Sequence, residues 1–167
     1  MSIVRLLFAG FMAASAVSDV LSYRIPNALV LALIGLFLAV AAFHGASVDW
    51  LSHLGAAGLC LAVGVALYSF GQMGAGDAKL LTAAALWAGI FPLAQSPLVL
   101  LLFWISVTGL AGMLIILVLR RLLVPFHAAG RNWPAVLTPG AGVPYGIGIG
   151  LGSILASPTF PAWLWQF

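Results

Sequence analysis

The chain has 167 residues, 64% of them hydrophobic and 5% charged, with a net charge of +3 and a mean hydropathy of +1.22. A water-facing domain carries roughly 25% charged residues, so the composition excludes a soluble enzyme and points to one integral-membrane domain over residues 1–167. Six basic residues are too few for a nucleic-acid surface, and their distribution is read as membrane topology instead.

Spanning a bilayer takes about 20 apolar residues. Apolar runs at residues 3–18, 26–43, 51–70, 78–91, 97–119 and 143–156 predict about six transmembrane helices and an all-α membrane protein. The N-terminal stretch has a basic residue, an apolar core and the small-x-small "ASA", a pattern that removable leaders share. A retained helix is the preferred reading, because the loop that follows it looks functional. The fourth and sixth runs are short for a span and need help from flanking residues. Gly and Pro cluster between runs, as breakers should.

Arg24 falls between helices 1 and 2, Lys79 between 3 and 4, and Arg120, Arg121 and Arg131 between 5 and 6. In a six-helix layout these loops share one side, which the positive-inside rule makes cytoplasmic. Arg5 alone argues for the opposite orientation. The tail "FPAWLWQF" is expected to form an aromatic belt at the outer interface. The loop after Arg120 is basic and mixed with apolar residues, and is expected to lie on the inner membrane surface.

All three acidic residues are aspartates. Asp49 reads as a loop residue or helix cap. Asp19, at the end of helix 1, and Asp77, at the start of helix 4, fall at the same membrane boundary. Asp77 fits an N-cap, whereas Asp19 lies near a helix C-terminus, where the dipole disfavours negative charge. Two close carboxyl groups share a proton, so one can take a proton from water while the other protonates the scissile carbonyl. Gly74 and Gly76 let backbone approach Asp77 closely. Lys79 fits two roles, a snorkelling anchor or a charge that tunes a nearby carboxyl group.

Scattered His44, His53 and His127 lack the spacing of a metal pair, and Cys60 reads as a buried small hydrophobe. No metal site and no cofactor are expected.

"GAGD" at 74–77 is a G-x-G-D motif, and "SDVLSYRIPN" at 18–27 holds an Asp followed after five residues by Ile-Pro-Asn. Together these resemble the type IV prepilin leader peptidases, membrane aspartyl proteases of the G-x-G-D fold. The small size is most similar to the CpaA/TadV branch, which serves Flp-type (Tad) pili. "VPYGIGIGLG" at 143–152 resembles the family's Pro-Tyr segment opening the last helix.

The resemblance implies an aspartic endopeptidase of the inner (plasma) membrane, with Asp19 and Asp77 as its catalytic pair and its catalytic face cytoplasmic. Its substrate would be a prepilin with an N-terminal hydrophobic helix, cut at its short basic leader. Its partners would be membrane lipids and the pilus or secretion machinery, with no nucleic acid. Gly74, Gly76 and Lys79, with Pro26 and Asn27 opening helix 2, belong to the motifs. Arg24 is a topology anchor or a support for Asp19, and Pro144 and Tyr145 either line the site or pack. Larger members of the family also N-methylate and carry paired Cys-x-x-Cys zinc ligands; with one cysteine, this chain is expected to be a peptidase only. Two other classes remain open: a proton-coupled transporter, and a non-catalytic assembly subunit.

Overall fold

The computed structural model describes residues 2–45, 48–127, 134–138 and 140–166, and of residues 124–127 only the backbone. Among the described residues six α-helices follow one another: α1 (Ile3–Ser22), α2 (Asn27–His44), α3 (Trp50–Ser69), α4 (Ala75–Ala88), α5 (Pro97–His127) and α6 (Gly146–Ala156). No strand occurs among the described residues. Three whole helices, α1, α2 and α3, and the stretch Leu93–Leu123 are long and apolar enough to cross a membrane. Leu, Val and Phe side chains stay exposed around the outside of these helices, a surface suited to lipid. The chain is an all-α membrane protein.

The two short helices hold the middle. α4 is mostly apolar, and from Asp77 to Ala88 only Lys79 and Thr82 are not buried. A helix that is hydrophobic all round belongs inside, and α2 and α3 pack against α4. α6 achieves the same through glycine. Residues four apart share a helix face, so Gly146 and Gly150 meet α1 while Gly148 and Gly152 meet α5. A Cβ on Gly150 would stand 2.7 Å from the Met12 carbonyl oxygen, and one on Gly148 would stand 2.7 Å from Gly109 Cα. These are two interleaved small-xxx-small seams, the means by which membrane helices bring backbones together.

The end of α4 farther from Asp77 is closed by polar side chains from α3. Asp49 caps α3 by accepting from the Ser52 N–H at 3.1 Å. Ser52 Oγ accepts from the Ile90 and Phe91 N–H groups at 2.8 and 2.9 Å. His53 donates its Nδ1–H to the Leu86 carbonyl at 2.7 Å, satisfying one of the carbonyls a helix end leaves free. The C-terminal tail packs onto this end of α4. Leu164 is buried, and Trp165 stacks on Trp87 with ring centres 5.6 Å apart. This packing also accounts for Arg5, the charge at odds with the others. Its Nε–H donates to Ser157 Oγ at 3.3 Å, and its guanidinium lies 5.9 Å from the Trp165 ring centre.

Two helix ends differ from expectation. α4 begins at Ala75, so the motif glycine Gly76 is helical rather than a turn residue. α5 continues to His127, beyond the expected end at 119. Arg and Leu are good helix formers and do not stop a helix on leaving hydrocarbon. At 1.5 Å per residue, Arg120 lies roughly 35 Å from Pro97, a little over one hydrocarbon thickness along α5. Arg131 and much of the basic loop lie outside the described residues.

Candidate active site

Asp19 projects from the last full turn of α1. That helix ends at Tyr23, which takes the left-handed conformation (φ 53°) and donates its N–H to the Asp19 carbonyl at 2.8 Å. The chain then turns back: Ser18 Oγ donates to the Arg24 carbonyl at 2.7 Å. This places Ile25 over the first turn of α4, where a Cβ on Gly76 would come within 3.2 Å of Ile25 Cβ. The absent side chain lets the α1–α2 connection lie directly on α4, next to Asp77.

The N-cap of α4 is Gly74, not Asp77, which is the third helical residue. Asp77 folds its carboxyl group back on the cap, so a Cβ on Gly74 would stand 2.9 Å from Asp77 Oδ2. The other oxygen, Oδ1, is buried without a hydrogen-bond partner among the described residues. Buried polar atoms are normally paired, so this oxygen is available to a ligand or water. Asp19 is held differently. Its Oδ2 accepts the N–H of Gly146, the first residue of α6, at 2.8 Å. The carboxyl group thus sits at the positive end of α6, which offsets the unfavourable end of its own helix.

Both acids line one cavity of about 450 Å³, although each is less than a tenth exposed. Gly74, Gly76, Lys79, Pro26, Asn27 and Arg24 line the same cavity, with Ser18, Ser22 and Tyr23. Lys79 donates to Asn27 Oδ1 at 3.2 Å, joining the start of α4 to the start of α2. A second, mostly apolar groove of about 340 Å³ shares Asn27 and Lys79 with this cavity and runs along Val30, Leu31, Ile34 and Leu61.

Pro144 and Tyr145 lie elsewhere. They line a separate groove of about 420 Å³ against α5, with Ile105, Gly109 and Met113. Their segment reaches the acids through the Gly146 N–H rather than through their own side chains. Sequence reasoning also missed Tyr23, Gly146 and Arg120. Tyr23 was within reach, since it lies inside the 18–27 motif, four positions after Asp19.

Fold and cavity together define an all-α membrane protein with two carboxyl groups gathered at one end of its helices. Residues 6–130 match the type IV leader peptidase family, a stretch that includes both aspartates and both motifs. The chain belongs to that family, and is thereby a peptidase of the prepilin leader class. No curated protein and no solved structure matches it significantly.

Proposed function

We propose that the chain is an aspartic endopeptidase, with Asp19 and Asp77 as its catalytic pair, that removes the short leader of Flp-type prepilins. The observation that carries this reading is the meeting of two acids, 58 positions apart in sequence, in one cavity. One carboxylate takes a proton from water, whose oxygen attacks the scissile carbonyl. The other, protonated, gives its proton to the carbonyl oxygen, and the amine then leaves with a proton returned by the pair. The Gly146 N–H holds one Asp19 oxygen and leaves the other for this exchange. The whole chain works as one membrane domain of the inner (plasma) membrane.

The cleavage face is cytoplasmic. Arg24 and Lys79 line the acid cavity and Arg120 reaches the Gly142 carbonyl beside it, whereas Arg5 is engaged by the tail at the other end. That asymmetry supports an inward-facing site. The family match favours a peptidase over a transporter. The test is co-expression with a tagged Flp-type prepilin. Leader removal should be lost in both Asp19→Asn and Asp77→Asn; cleavage that survives either change defeats the acid-pair reading.

A further inference from the structure

We infer that Arg120 is a positioning residue for the Asp19 carboxyl group, acting with Tyr23 through one backbone carbonyl. The inference rests on the reaction proposed above. Arg120 is on α5, 101 positions from Asp19. Its Nη2–H donates to the Gly142 carbonyl at 2.7 Å and its Nε–H to the Val136 carbonyl at 2.9 Å. Tyr23 donates its hydroxyl to the same Gly142 oxygen at 3.0 Å. One carbonyl thus ties three elements together: α5, the end of α1, and the segment leading into α6.

Four residues beyond Gly142 stands Gly146, whose N–H holds Asp19 Oδ2. The segment between carries no regular structure up to Tyr145, so its path depends on such side-chain ties. The guanidinium suits this task because its rigid planar fork aims separate N–H groups at the two carbonyls, whereas an ammonium group carries rotatable donors on a flexible stem. The fork therefore sets where the Gly146 N–H stands, and with it which Asp19 oxygen faces the cavity and how the pair shares its proton. Topology alone would ask only for a positive charge at this position.

That contrast gives the test. Tyr23→Phe removes one oxygen atom, and Arg120→Lys keeps the charge but loses the fork. Both are purified in detergent, normalised to folded protein by size-exclusion chromatography, and assayed on a tagged Flp-type prepilin across pH. Each should lower kcat about tenfold, the effect of a lost or misaligned hydrogen bond at a reacting group. KM should change less than about twofold, and the acid limb of the profile should move. Arg121→Met, which removes a neighbouring charge, should leave all three unchanged. An unchanged kcat and profile in both Tyr23→Phe and Arg120→Lys would overturn the positioning role while leaving the acid pair standing. Cleavage that persists in Asp19→Asn would overturn the proposed reaction itself.

Discussion

Gly146 stands so close to Asp19 that no side chain fits between them: a Cβ there would lie 2.8 Å from both Asp19 Cβ and Oδ2. The same residue donates the N–H that holds the carboxyl group. Gly146→Ala should therefore displace Asp19 without removing any polar group. Overpacking of this kind costs about 1–3 kcal/mol where the neighbour must move. Prepilin cleavage by Gly146→Ala should fall at least about tenfold at equal amounts of folded protein, since reacting groups must be placed within fractions of an ångström. Activity near that of the unmodified chain would mean that Asp19 is not held where the reaction needs it.

The motif glycines act on Asp77 in two separable ways. Gly74→Ala places a methyl 2.9 Å from Asp77 Oδ2 and must swing the carboxyl group, while Gly76→Ala presses on Ile25 and parts α4 from the α1–α2 connection. Gly74→Ala should abolish most cleavage with little change in the unfolding midpoint. Gly76→Ala should lower both. Gly10→Ala and Gly35→Ala meet nothing within 4 Å and should leave both measurements unchanged, apart from the small stabilisation alanine gives within a helix.

These pairings show what the sequence could and could not disclose. In a chain with three acidic residues, Asp19 and Asp77 stand out because carboxyl groups in an apolar setting need a reason. The helices were legible for the same reason, as apolar runs between Gly and Pro. The Gly146 N–H was not legible, because a backbone donor has no residue identity and lies 127 positions from Asp19. The segment before α6 left its Pro and Tyr either to line the site or to pack; both line a groove against α5, and the contact to Asp19 comes from the Gly146 backbone. Likewise "GIGIGLG" read as apolar helix, while its interleaved glycine seams became visible only once α1 and α5 were placed beside it.

Lys79 separates its two sequence readings by where it bonds. Its Nζ donates to Asn27 Oδ1 at 3.2 Å, and both side chains are exposed. A residue so placed joins α2 to α4 at the mouth of the cavity. Lys79→Met and Asn27→Ala should each raise KM a few-fold and leave kcat within about threefold, the pattern of a residue that binds without entering the chemistry. A fall in kcat of a hundredfold or more in Lys79→Met would show instead that its charge tunes the carboxyl pair.

His53 tests whether the two ends of α4 carry different duties. It is 1% exposed, packs its ring 5.1 Å from Phe37, and bonds the Leu86 carbonyl at the end of the helix away from Asp77. Replacing it with phenylalanine keeps an aromatic side chain and removes the donor, leaving a buried carbonyl without its partner. That costs about 1–3 kcal/mol. His53→Phe should therefore unfold at lower temperature or denaturant in detergent, yet cleave prepilin with an unchanged kcat per folded molecule. A change in kcat at full folding would mean that the aromatic end of α4 is coupled to the acids, and that the helix is not the rigid support its burial implies.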